Sequence, residues 1–252
     1  MPKTLSAMFA ALALLTACGR VPEATVATPV QKATVAAAAK ARADNATPTG
    51  LPLDAPWKQQ EYAFAVKNVK HPAWGLSHAE RDLQIALALA AQERLAVDRD
   101  VLFAAAYLHD LGGLKGFEKE GVDHGVRSAE LAEPLLKAWG FPMAKFPKVK
   151  DVIMGHVYYG PAPTGDEARV FHDADLLDFL GTMGVIRLLA ATQDGGPDAT
   201  MAGGLKTAKQ FATELPRKLT TAAAREQAKT RVAEMNAFFQ TLDPYTYDGN
   251  AL

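Results

Sequence analysis

One cysteine, Cys18, stands among 252 residues, so no intramolecular disulfide can brace the fold and no thiolate cluster can hold a metal. Charge of one sign is also missing. The 27 Lys and Arg nearly balance the 28 Asp and Glu, and no long basic run offers a footprint for nucleic acid. No apolar run reaches the roughly 20 residues of a comfortable transmembrane helix. Period-two alternation is absent, as is any internal repeat, so neither a sheet protein nor a solenoid is expected. Aromatic residues are absent between Gly19 and Pro56. What is present is a 49% apolar composition, enough for an ordinary core.

Residues 1–17 read as an export signal, with Lys3 as the charged start and residues 5–15 as a short apolar stretch. The stretch ends in Leu15-Thr16-Ala17-Cys18-Gly19, which is similar to a bacterial lipobox. That likeness implies lipidation at Cys18 and stable membrane anchoring by more than one acyl chain. Gly19 at the following position resembles lipoproteins sent to the outer membrane, so a cell-envelope protein facing the periplasm is expected. Residues 18–56, rich in Ala, Thr, Val and Pro, read as a flexible tether. That leaves residues 57–243 as one domain and 244–252 as a tail.

Within the domain the 3.6-residue period dominates, and about seven helices are expected in an all-α architecture. Ser77 and Glu80 form a capping-box pattern at the first. A second runs over residues 99–111 and stops at Gly112-Gly113. A third follows Asp123, and a fourth covers residues 147–156. A long fifth covers residues 167–191, and two more lie over 206–215 and 221–242. The Gly-rich stretch 194–204 is either a loop over a pocket or a plain connector.

The chemistry-bearing residues cluster at helix ends. His109-Asp110 closes a very apolar segment, and a charge there needs a partner. Helix neighbours point about 100° apart, so both can reach one ion only if it sits in the wedge between them. His78 and His124 each open a helix, and His156 closes one. In the fifth helix, Val170, Ala174, Leu177, Gly181, Val185 and Leu188 form the buried stripe. Asp175 and Asp178 share one flank of it. Asp175 is read as the ligand and Asp178 as a group behind the ligands. Asp173 is either a ligand in another register or solvent-facing. Imidazole and carboxylate both bind divalent ions, and this ordered set points to metal-dependent hydrolysis.

These residues resemble the HD-domain superfamily of metal-dependent phosphohydrolases. The likeness runs through His78-Ala79-Glu80-Arg81, Leu108-His109-Asp110-Leu111-Gly112, His124 with Arg127-Ser128-Ala129-Glu130, Ile153 to His156, and Asp173-Ala174-Asp175-Leu176-Leu177-Asp178 followed by Gly181 and Arg187. It covers nearly the whole mature domain. It implies a single compact HD-type helical domain in which His78, His109, Asp110 and Asp175 bind one metal. His124 and His156 would bind a second ion, or lie near the substrate phosphate in members with a single ion. Leu176 departs from the pattern, standing where one bacterial subgroup usually carries a basic residue.

The expected reaction is hydrolysis of a small phosphorylated substrate by a metal-activated water, with one or two ions of Mn, Fe, Mg, Co or Zn. Asp110 would ligate and orient the water, and Lys115 and Arg81 would stabilise phosphoryl charge. Two other classes remain open: a di-iron oxygenase on the same ligand set, and a non-catalytic envelope lipoprotein.

Overall fold

The computed structural model describes residues 45–194 and 199–247, with Ala251. The expected signal, the expected lipidation site Cys18 and most of the expected tether lie outside the described residues. Nine α-helices occur among the described residues, joined by short 3-10 turns, and the fold is all-α. The one β-bridge there joins Ala46 to Pro52. No described helix is long and apolar enough to cross a membrane.

The compact unit starts at Asn45, eleven residues before the tether was expected to end at 56. Thr47 and Leu51 are buried, and the Leu51 amide donates to Thr47 Oγ1 at 3.2 Å. Gln59 and Gln84 tie the turn to the helices beneath it through Asn45 and Thr49. Compositional bias therefore hid a short ordered cap. Helix α1, Pro56–Asn68, follows at once with proline in its first turn. Its apolar residues do not fall on one clean face, which is why periodicity missed it.

Helix α2, Leu76–Gln92, starts at Gly75 without a side-chain cap, so the expected Ser77 capping box is not used. Helix α3, Arg99–Ala106, is capped by Asp98 Oδ1, which accepts from the Asp100 amide at 3.0 Å. It ends five residues before the expected stop, and residues 107–113 continue as tight turns. Helix α4, His124–Trp139, is capped by Asp123 and ends on left-handed Gly140. Helix α5 is Phe146–Gly155.

The expected long fifth helix is two: α6, Asp166–Asp178, and α7, Gly181–Ala191. Gly181 has φ +76°, a conformation that breaks the helix and favours glycine. Helix α8, Met201–Glu214, takes in the second half of the Gly-rich stretch. Helix α9, Ala222–Thr246, runs through Pro244, so the tail begins later than residue 244. The core is built on α3, whose residues Val101 to Ala106 are all buried, with Leu83, Leu89, Leu108, Ile153, Phe171, Leu176 and Leu177 around it. The helix ends facing that core carry the chemistry.

Candidate metal centre

Helix α2 brings His78, Arg81 and Asp82 to one side, because residues three and four apart share a face. After α3 the chain tightens, and His109 and Asp110 leave the helix. Asp110 sits at φ −99°, ψ 0°, in the sparsely populated bridge region. Gly112 lets this turn press on the start of α4: its amide donates to Ser128 Oγ at 2.8 Å. A Cβ there would lie 2.5 Å from the His124 carbonyl oxygen. The turn holding Asp110 and the helix opening with His124 are thereby locked together.

The ligand atoms converge in two groups that share one carboxylate. His78 Nε2 and His109 Nε2 are 3.3 Å apart. Asp110 Oδ2 lies 3.5 Å and 3.3 Å from them, and Asp175 Oδ1 lies 3.4 Å from His78 Nε2. On the other side, His124 Nε2 and His156 Nε2 are 3.0 Å apart, with Asp110 Oδ1 at 3.6 Å and 3.4 Å. Ligands held at about 2.1 Å from an ion stand about 3.0 Å apart at octahedral angles and 3.4 Å at tetrahedral ones. The observed spacings fall in or near that interval.

Tautomers complete the fit. His109 Nδ1 donates to the Ala106 carbonyl at 2.9 Å, and His156 Nδ1 donates to that of Ile153. His78 Nδ1 faces Asp178 Oδ2 at 2.9 Å and Asp82 Oδ2 at 3.0 Å. Tyr159 donates to Asp123 Oδ2 at 2.6 Å and can accept from His124 Nδ1 at 3.2 Å. Each ring thus turns an Nε2 lone pair inward, the usual arrangement behind ligating histidines. Lone pairs packed nose to nose in a buried space call for a cation, so the residues present suit a divalent ion.

The titration behaviour reflects that crowding. Burial and the Arg187 charge alone would depress His78, but Asp82, Asp110 and Asp178 outweigh them and hold it well above its ordinary value. Burial would raise Asp110, yet His109, His156 and His78 hold it well below the usual carboxylate range. Burial and the neighbouring His156 lower His124, which favours its neutral, ligating form. Asp82, fully enclosed, is raised to about 6 chiefly by burial, against the pull of His78.

The structure thus brings together His78, His109, Asp110, His124, His156 and Asp175. Three sequence expectations are corrected. Arg81 does not face the cavity; its guanidinium is fixed on Asp178 at 2.7 Å and 2.8 Å. Lys115 is exposed and is not part of the cavity wall. Asp173 is neither a ligand nor solvent-facing. It is fully buried, accepts hydrogen bonds from the amide and hydroxyl of Thr220 and of Thr221, and has His172 Nδ1 at 3.1 Å from Oδ1.

Two residues were missed as site components. Asp82 was signalled by its position one helical turn after His78. Arg187 was quoted only as part of a motif. It is 1% exposed, places Nη2 2.9 Å from His78 Nε2, and pairs with Asp178 at 3.0 Å. An ion held by His78 would have to displace that Arg187 hydrogen bond.

Comparisons with known proteins agree with this geometry. Residues 75–180, which hold all six of the clustered histidine and aspartate positions, match the HD domain family model. A Lactobacillus plantarum protein of known structure is 20% identical with TM-score 0.58, over 78% of this chain and 98% of its own. Bacillus subtilis YpgQ, solved in complex with ADP, is 20% identical with TM-score 0.56, over 74% of this chain and 96% of its own. At that identity both show the fold alone. A predicted HD superfamily hydrolase from an uncultured Thermotogales bacterium is 25% identical with TM-score 0.50, over 74% of this chain and 88% of its own. Curated proteins yield no match.

Proposed function

We propose that the chain is a metal-dependent phosphohydrolase with two adjacent ion sites. One observation carries the reading: Asp110 directs one carboxylate oxygen toward His78 and His109 and the other toward His124 and His156. The HD domain match over residues 75–180 supports it at the level of the superfamily. Ions held there supply a water of lowered pKa and positive charge for the phosphoryl oxygens.

The protein's own groups do the positioning. Asp110, held low, stays ionised and serves as an acceptor rather than a proton donor. Asp178 orients His78 through Nδ1 while neutralised by Arg81 and Arg187. Tyr159 and Asp123 orient His124. We place the protein, from its sequence, in the bacterial cell envelope on a lipid anchor at Cys18. Detergent-phase partitioning that persists in Cys18→Ser would refute the anchor.

The activity test is a panel of phosphomonoesters, nucleotides and cyclic dinucleotides with added Mn. Turnover by the wild type that is lost in His109→Ala is expected; equal turnover by the two would end the reading. A cavity whose described walls hold no lysine or arginine also suits a di-iron oxygenase on the same ligands. Oxygen consumption by iron-loaded protein with an organic substrate, and no phosphate release, would favour that alternative.

A further inference from the structure

A cavity of about 310 Å³ opens over Asp110, His124 and His156, and its other walls are Trp74, Leu114, Val157, Tyr158, Tyr159 and Phe179 among others. A second cavity, about 320 Å³, shares Trp74, Tyr158 and Phe179 with the first. It continues between α7 and α8 past Leu188, Thr207 and Phe211. Among the described residues, neither cavity has a lysine or arginine in its walls. The described walls of the second hold no acid or histidine either.

The shared wall is a packed set of rings. Trp74 and Phe179 lie 5.6 Å apart, Phe179 and Phe211 5.2 Å, and Tyr158 and Phe211 5.2 Å. Arg187 stacks behind Phe179 and Trp74, at 4.3 Å and 5.1 Å from their centroids. Its charge is already committed to Asp178. Lys218 sits on the Tyr158 ring at 6.0 Å, with its own side chain exposed.

Each further phosphate of a nucleoside di- or triphosphate brings negative charge that needs fixed cations. The described walls offer no lysine or arginine, and Arg81 is tied to Asp178. Rings and edges of Trp, Tyr and Phe instead favour flat apolar groups, which gain by leaving water. Together the two spaces have the size and lining usual for a small-molecule site.

We propose that the substrate is a phosphate monoester of an apolar aromatic alcohol. Its phosphate lies on the Asp110 face, and its ring system crosses Trp74, Tyr158 and Phe179 into the second cavity. This rests on the hydrolase reading above, and Thr207 becomes a specificity-determining position at the far end of the site.

The test uses the full chain supplied with Mn and four esters: 1-naphthyl phosphate, phenyl phosphate, glycerol 3-phosphate and ATP. For 1-naphthyl phosphate, kcat/KM about 100-fold above that for glycerol 3-phosphate is expected. Thr207→Phe fills the second cavity and lowers the naphthyl-to-phenyl ratio by about tenfold. A binding arm needs no turnover: 1-naphthyl phosphonate quenches tryptophan fluorescence, and Trp74→Phe removes the quenching. ATP or glycerol 3-phosphate turned over as well as the naphthyl ester would overturn the inference and leave the hydrolase reading standing. Quenching through Trp74 with no ester hydrolysed would sustain the apolar site and refute the hydrolase. Absence of quenching, with no preference among esters, would also overturn the inference.

Discussion

Replacing Asp173 by Asn separates a structural carboxylate from a ligating one. Asp173 Oδ1 accepts from the Thr220 amide and hydroxyl at 2.8 Å and 3.2 Å. Asp173 Oδ2 accepts from the Thr221 amide and hydroxyl, both at 2.7 Å. Thr221 Oγ1 in turn accepts from the Ala224 amide and caps α9. An amide keeps one accepting oxygen and turns two donors toward the other pair. A hydroxyl can rotate to accept from it, but a backbone N–H cannot.

One charge-assisted bond is lost and one amide is orphaned, at about 2–4 kcal/mol together. In a domain of this size that is a fall in Tm of about 5–15 °C. Burial would raise the Asp173 pKa, but His172, Thr220 and Thr221 outweigh it and lower it. The folded state therefore releases this proton more readily than the unfolded state. Its contribution is present above the unfolded carboxylate value and fades as pH falls through the folded value. The gap between wild type and Asp173→Asn accordingly closes on acidification. Denaturant melts at several pH values read the stability, and metal analysis reads the site. A variant of full stability, or one that has lost its ions while folded, would refute the reasoning.

Asp178→Asn weakens the carboxylate behind His78, and metal affinity falls about 10- to 100-fold by titration with Mn, with a loss of about 3–5 kcal/mol of stability from the unpaired buried Arg187 read by denaturant melts. Gly112→Ala costs about 1–3 kcal/mol by denaturant melts, because the added methyl meets backbone of α4. Glu61 is fully buried, both its oxygens lack a hydrogen-bond partner, and burial raises its pKa well above 4.5 against the pull of Lys58. The folded state binds this proton more tightly, so stability falls as pH rises from 4.5 toward the raised value. Glu61→Met is thus expected to gain about 1–3 kcal/mol at neutral pH, and the gain shrinks below pH 4.5.

The helical class and the helix starts after Asp123 and near Thr221 were legible, because periodicity is strong there, whereas the one cap named from the sequence, Ser77, is not used. The two-helix split at Gly181 was not. A glycine on the buried stripe satisfies the 3.6 period whether or not the chain bends, and φ is invisible in sequence. The six histidine and aspartate positions could be named because each sits at a helix end or beside a stripe. The partners of Arg81 and Asp173 could not, since they come from α6 and from the turn before α9. Charge on a helix face reads the same whether it meets substrate or a buried acid. The aromatic wall was invisible for the same reason: Trp74, Tyr158, Phe179 and Phe211 come from four separated segments.

The account turns on ions bound between His78, His109, Asp110, His124, His156 and Asp175. Mn(II) titration of metal-free full-length protein, followed by electron paramagnetic resonance, tests it directly. Two ions per chain are expected for the wild type, with spin coupling between them through the Asp110 carboxylate. His109→Ala should lose at least one of them. Unbound Mn(II) throughout the titration, or binding that His109→Ala leaves intact, would contradict it.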